Sequence, residues 1–130
     1  MTFVSVLPVF AQPEPAGAKG ASDAEIVPLM KTPLAGFAGK EGAMLTVEYA
    51  PGASSPKHRH QAHTFVYVLE GSIVMQVEGG PAVTLVAGQT FYESPSDIHA
   101  VSKNSSATER AKFVVFFVKD EGQPFVIPVQ

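Results

Sequence analysis

Cysteine is absent from the 130-residue sequence. Without thiols the chain can form neither a disulfide framework nor a thiolate zinc site, so any metal ion must be held by nitrogen and oxygen ligands. The length is that of one ordinary domain, and a hydrophobic fraction of 45% is enough for a folded core. We therefore expect a single folded domain that carries any site it has on histidines, carboxylates or hydroxyls.

A surplus of basic residues is also missing. The chain has 9 Lys and Arg against 12 Asp and Glu, a net charge of −3. Its only cluster of basic residues is KHR at residues 57–59. A nucleic-acid surface needs clustered positive charge. We expect a small-molecule substrate or ligand and no nucleic-acid partner.

Long hydrophobic runs are lacking as well. The apolar opening MTFVSVLPVFA, residues 1–11, is far shorter than the roughly 20 residues of a membrane span, so no membrane partner is expected. It resembles the back half of a secretory signal without the usual positive residues. Segment 1–24 thus has two interpretations: a signal-peptide remnant of a periplasmic or secreted protein, or a dimerising strand plus linker in a cytoplasmic one.

No window shows a sustained helical period. Short β-rich runs follow one another instead, separated by turn sequences such as EGS, EGGP and AGQ. The run FVVFFV at 113–118 is apolar on both faces, which predicts a central or covered strand. The pattern predicts an all-β domain over residues 25–130, either a sandwich or a jelly-roll β-barrel.

Three of the four histidines lie within six positions, in the stretch HRHQAH at residues 58–63. On an extended strand His58 and His60 share one side, so both rings can converge on one ion. His99 is the only histidine outside this stretch and opens a later predicted strand. Imidazoles from two adjacent strands would leave positions open for water or substrate. By the same parity His63 points away, and it is a candidate fourth ligand only if the chain is irregular there.

The first histidine pair lies in a sequence that resembles a motif of the cupin superfamily, small jelly-roll β-barrels. That motif runs Gly, five residues, His, one residue, His, three or four residues, Glu, six residues, Gly. The chain matches it from Gly52 through His58 and His60 to Gly71, with one substitution.

The second cupin motif, Gly, a Pro-containing turn, His and then Asn, is matched by Gly88, Pro95, His99 and Asn104. Pro95 comes one place later than usual, Asp97 stands where Gly is common, and Asn104 is displaced by one. The resemblance covers roughly residues 43–118 and implies one divalent transition metal ion per chain, held between the motif strands. Iron and manganese are favoured, and zinc, nickel and copper are the alternatives.

The main departure from the family pattern is Thr64, which stands where the family has its Glu ligand. A neutral hydroxyl is a poor ligand, so the resemblance implies a site made of His58, His60 and His99 alone. Some cupin oxygenases are similar in binding ferrous iron through three histidines. Thr64 could instead hydrogen-bond a metal-bound water.

Strand parity predicts the pocket. Val66 and Val68 share the parity of the ligands, and Met75 lies on the inward face of the next strand, so these three should line a largely apolar site. Such walls suit a small, partly hydrophobic substrate.

Three functions fit these residues: a mononuclear dioxygenase-type oxidoreductase, a metal-dependent isomerase or lyase, and a binding protein without turnover. An acid-base group beside the metal would favour an enzyme. The candidates are Tyr92, Glu93 and Thr64; Tyr92 and Glu93 lie on opposite faces, so at most one of them points inward. The apolar segments FVSVLPVFA and FVIPVQ near the two termini predict exposed edges, and hence a homodimer.

Overall fold

The computed structural model describes residues 24–130. Both interpretations of the N-terminal segment, and the compartment that each implies, fall on residues outside this range and stay predictions. Every regular element between residues 24 and 130 is a β-strand, which confirms the all-β prediction. The strands are β1 (Ala24–Pro33), β2 (Lys40–Tyr49), β3 (Ser54–Ser55), β4 (His58–Arg59), β5 (Ala62–Glu70), β6 (Ser72–Val77), β7 (Val83–Val86), β8 (Thr90–Glu93), β9 (Ile98–Asn104), β10 (Ala111–Asp120) and β11 (Ile127–Pro128).

The strands form two antiparallel sheets. One has the order β1-β2-β10-β5-β8, and the other has the order β11-β4-β9-β6-β7, with β3 paired to β9. This is the predicted jelly roll, and its core lies between the two sheets. Over the described range no helix is long and apolar enough to cross a membrane.

Strand β10 shows why the core forms where it does. Along it buried residues alternate with half-buried ones, and Phe113, Val115 and Phe117 point into the core. β2 and β5 flank it on either side. The prediction that FVVFFV is a central strand is confirmed. β10 pairs with β2 on one edge and with β5 on the other, and all six of these residues are buried or half-buried.

Gly71 forms the turn between β5 and β6, and its backbone conformation explains why the first motif ends in glycine. Its φ is 70°, in the left-handed region that favours glycine. A Cβ at this position would also lie 2.4 Å from the carbonyl oxygen of Arg110. Only glycine fits this turn without a shift of the neighbouring backbone.

Exposed apolar side chains are concentrated on β1 and on the outer side of β5. Ile26, Leu29 and Met30 are more than half exposed, and Phe65 and Tyr67 are nearly so. β1 is also an edge strand, paired only with β2 among the described elements. Long apolar edges of this kind invite pairing with a second chain.

The homodimer stays a prediction, and these surfaces supply its physical reason. We expect size-exclusion chromatography with multi-angle light scattering to give twice the chain mass at micromolar concentration. Leu29→Glu combined with Met30→Glu should shift the mass toward that of one chain. A wild-type protein that elutes as one chain at every concentration would contradict the prediction.

Candidate metal centre

Two short strands bring the histidines of the two motifs together. β4 pairs with β9, and in that register His58 lies directly opposite His99. His60 follows the end of β4, and all three side chains are buried. When one ring nitrogen is taken from each histidine, the three nitrogens lie within 4.8 Å of one another. This is the only group of three or more potential ligands this close among residues 24–130.

Backbone carbonyls orient two of the three rings. The Nδ1 of His58 lies 2.7 Å from the carbonyl oxygen of Pro56, and the Nδ1 of His60 contacts the carbonyl oxygen of Phe125. Because a carbonyl only accepts, both Nδ1 atoms donate, and the Nε2 atoms carry lone pairs. Those two Nε2 atoms face each other at 3.2 Å. Two opposed lone pairs are unfavourable alone and favourable around a shared cation, which is the arrangement of metal-binding imidazoles.

Burial keeps the three imidazoles neutral. It lowers the pKa of His60 to about 4, with the hydrogen bond to Phe125 opposing the shift. It lowers the pKa of His99 to about 3, with His58 and His60 adding to the effect. Burial also lowers the pKa of His58. At neutral pH all three rings are therefore available as ligands without losing a proton.

Glu93 is the only acidic side chain buried against these histidines in the described chain. It is 1% exposed and lies directly opposite Thr64 in the β5–β8 pairing. Its Oε1 is 3.1 Å from the Nδ1 of His99, and its Oε2 is 3.8 Å from the Nε2 of His60. Burial raises the pKa of Glu93 to about 7, and the carboxylate of Asp97 adds to the shift.

The other predicted site residues lie on two opposite faces of the sheet that contains β5 and β8. Thr64 is buried on the inner face of β5, where its Oγ1 lies 3.5 Å from the carbonyl oxygen of Ala62. His63 and Tyr92 lie on the outer face, where the Nδ1 of His63 and the hydroxyl of Tyr92 are 2.6 Å apart. Buried and exposed residues alternate along β5 from its first residue, Ala62, and His63 is one of the exposed ones. The structure therefore does not bring His63 or Tyr92 to the histidine group.

A cavity of about 330 Å³ opens beside the histidines. Val66 and Met75 line it, whereas Val68 is fully buried two residues further along β5 and packs in the core without lining the cavity. Ile26 and Val126 line it and are also largely exposed, so they mark its opening. The remaining walls are mostly apolar, with Leu45, Val47, Phe113, Val115 and Phe117 among them.

A cluster of three hydroxyls in the cavity was missed from the sequence. The hydroxyl of Tyr49 lies 2.8 Å from Oγ of Ser102 and 2.5 Å from Oγ of Ser55, and all three residues line the cavity. Burial raises the pKa of Tyr49. Tyr49 ends β2 with the parity of the core residues Leu45 and Val47, which was a signal for its inward direction. Its serine partners come from β3 and β9, and no local pattern joins them.

The donor set fits a divalent first-row transition metal. Three neutral imidazoles converge on one region, and the ring nitrogens of His99 and the oxygens of Glu93 form no well-aligned hydrogen bond in the described chain, although the Nδ1 of His99 and the Oε1 of Glu93 are 3.1 Å apart. Unpartnered buried groups of this number are rare in native proteins and commonly mark an ion or a functional group. Nitrogen and carboxylate ligands suit iron, manganese, zinc, nickel and copper.

Solved structures share the fold. An uncharacterized conserved protein with a double-stranded β-helix domain from Klebsiella pneumoniae has a TM-score of 0.65 at 18% identity, over 84% of this chain and 87% of that chain. Oxalate oxidase in complex with the substrate analogue glycolate has a TM-score of 0.62 at 24% identity, over 82% and 55%. The DMSP lyase DddQ from Ruegeria pomeroyi has a TM-score of 0.59 at 18% identity, over 68% and 43%.

The chain thus spans about half of the oxalate oxidase and less than half of the lyase. A comparison with curated proteins finds no match. The model of the Cupin domain family matches residues 45–117, a range that holds His58, His60 and His99 together with β4 to β9. The chain belongs to the cupin domain family.

Proposed function

We propose that the protein is a mononuclear metal-dependent cupin enzyme of the dioxygenase type, acting on a small, partly apolar molecule. The observation that carries the proposal is the pair of Nε2 atoms of His58 and His60, which face each other at 3.2 Å while both Nδ1 atoms are committed to carbonyls. A protein that used these histidines only for packing would have no reason to oppose their lone pairs. A bound iron or manganese would supply Lewis acidity and a site for oxygen activation.

The residues around the histidines suit a substrate with one polar end. The apolar walls of the cavity favour a hydrophobic body. The hydroxyl cluster of Tyr49, Ser55 and Ser102 can donate to or accept from a polar group inside that cavity. Substrate would therefore be held between this cluster and the metal side of the cavity, a position that fixes its reacting end.

The structural neighbours support two chemistries. Oxalate oxidase is named for an oxidation, at 24% identity, and DMSP lyase for an elimination, at 18% identity. Because the Tyr49 hydroxyl in the cavity can also move a proton, a metal-dependent lyase or isomerase is the second candidate. A binding protein without turnover is the third, and it would use the same cavity without a reacting group.

Oxygen consumption separates these candidates. Protein purified without a metal-binding tag would be loaded with Fe²⁺ or Mn²⁺ under anaerobic conditions and offered a panel of small 2-oxo acids, enolisable diketones, thiol carboxylates and oxalate. We expect oxygen uptake with at least one compound, dependent on the metal and lost in His99→Ala. Product formation without oxygen would identify the lyase or isomerase. Tight binding of a panel compound with neither product nor oxygen uptake would contradict an enzymatic role.

A further inference from the structure

We propose that Glu93 supplies the carboxylate ligand of the metal, so that the ligand set is His58, His60, His99 and Glu93. The carboxylate that family members carry on the first-motif strand would then come from the neighbouring strand β8. The assignment of Glu93 rests on the proposed metal centre and changes its composition. A divalent ion held by three imidazoles and a carboxylate has one positive charge less than an ion held by three imidazoles alone.

The first observation is that the Glu93 carboxyl group is buried, within residues 24–130, against histidines alone. Both of its oxygens are buried and lack a hydrogen-bond partner among the described residues, and no Lys or Arg there forms an ion pair with it. A buried carboxylate without donors is strongly unfavourable unless it is paired with a cation. The Nδ1 of His99 lies 3.1 Å from its Oε1, outside hydrogen-bond alignment.

The second observation is the register between β5 and β8. Thr64 and Glu93 are direct partners in an antiparallel pair, so both side chains leave the sheet on the same face. Residue 93 therefore reaches the same layer of the core as residue 64, the position of the family's Glu ligand. Glu93 has the longer side chain of the two, and its carboxyl oxygens come within 4 Å of His60 and His99.

The third observation is the set of distances. Two atoms that each lie about 2.1 Å from one ion are at most about 4.2 Å apart. The Oε2 of Glu93 is 3.8 Å from the Nε2 of His60, and that Nε2 is 3.2 Å from the Nε2 of His58. The Oε1 of Glu93 is 3.1 Å from the Nδ1 of His99, but the two groups are not aligned as a hydrogen bond. Glu93 thus lies within ligand spacing of His60, and its approach to the Nδ1 of His99 is not aligned as the hydrogen bond of a group that only orients that ring.

The test compares Glu93→Gln with a relocated carboxylate, Thr64→Glu combined with Glu93→Gln. Affinity for Mn²⁺ and Co²⁺ would be measured by calorimetry, and the visible spectrum of bound Co²⁺ would report its ligands. We expect Glu93→Gln to weaken binding by about 100-fold or more and to alter the Co²⁺ spectrum, and the relocated variant to recover at least about tenfold. Thr64→Glu alone would place two carboxylates opposite each other and should not tighten binding. Thermal unfolding of the metal-free variants shows that each is folded.

His58→Ala distinguishes failure of the Glu93 assignment from failure of the metal centre. If wild type binds metal, His58→Ala does not, and Glu93→Gln loses less than about 100-fold in affinity, the cost of losing a group that only orients a ligand, the metal centre stands and the Glu93 assignment is overturned. An unchanged Co²⁺ spectrum in Glu93→Gln, or a relocated variant no tighter than Glu93→Gln, overturns it as well. Wild-type protein that binds neither ion overturns both.

Discussion

Replacing His60 with alanine is expected to weaken metal binding by about 100-fold or more, whereas His63→Ala should leave it within about twofold of wild type. His60 lies in the histidine group, with its Nδ1 held by the Phe125 carbonyl and its Nε2 directed at His58. His63, three positions later, lies on the outer face of β5 beside Tyr92. The two changes remove the same side chain from nearly the same place in the sequence, so they are matched controls for each other.

Elemental analysis and Mn²⁺ titration of both variants provide the measurement. Protein would be purified without added metal, then stripped and reloaded, so that occupancy and affinity are obtained separately. Both variants should remain folded, because neither side chain is a large part of the apolar core. Equal losses of metal at the two positions would contradict the assignment of faces and would bring His63 back as a ligand.

Asn104→Ala is expected to lower the free energy of unfolding by about 3 kcal/mol. Its side chain is 4% exposed. The amide donates to the carbonyl oxygens of Ala50, at 3.2 Å, and Glu109, at 2.6 Å. Its carbonyl accepts from the backbone N–H of Ser106 at 2.9 Å. Removing the amide takes away three partly buried hydrogen bonds that hold backbone groups of two loops at once.

Urea denaturation followed by circular dichroism measures the change. Thr108→Ala is the control, because Thr108 is an exposed residue of the same loop, and its loss should cost less than about 0.5 kcal/mol. Metal affinity of Asn104→Ala should stay close to that of wild type at temperatures where the protein is folded. Equal stability of the Asn104→Ala and Thr108→Ala proteins would show that the loops are held by other contacts. In the second cupin motif, His99 thus belongs to the site and Asn104 to the fold.

Much of the fold was readable from the sequence because its causes are local. The turn sequences lie between strands, and the alternation along β5 and β10 assigns each side chain to a face. The spacing of the two motifs also predicted which three histidines converge. The extent of β4 and the existence of β3 were not predicted, because each has only two residues within a turn-rich stretch and each pairs with the distant β9.

The details of the site were less accessible. Parity showed that Tyr92 and Glu93 point in opposite directions but not which one points inward. That choice depends on the register of β8 against β5, in which Glu93 lies opposite the buried Thr64. The hydroxyl cluster around Tyr49 likewise unites residues from β2, β3 and β9. Val68 has the same parity as Val66 but lies beyond the cavity. Periodicity predicts the face of a strand on which a residue lies, but not how far along the strand the cavity extends.

The sequence by itself determined the all-β class, the cupin motifs and the three histidines, because alternation, turn chemistry and motif spacing are properties of neighbouring residues. Tertiary structure alone decided that the Phe125 carbonyl orients His60, 65 positions away, and that Glu93 pairs with Thr64 across the two strands. Contacts of this kind depend on strand register and on the path of the C-terminal segment. Both are set by the packing of the whole chain, so no window of the sequence contains them.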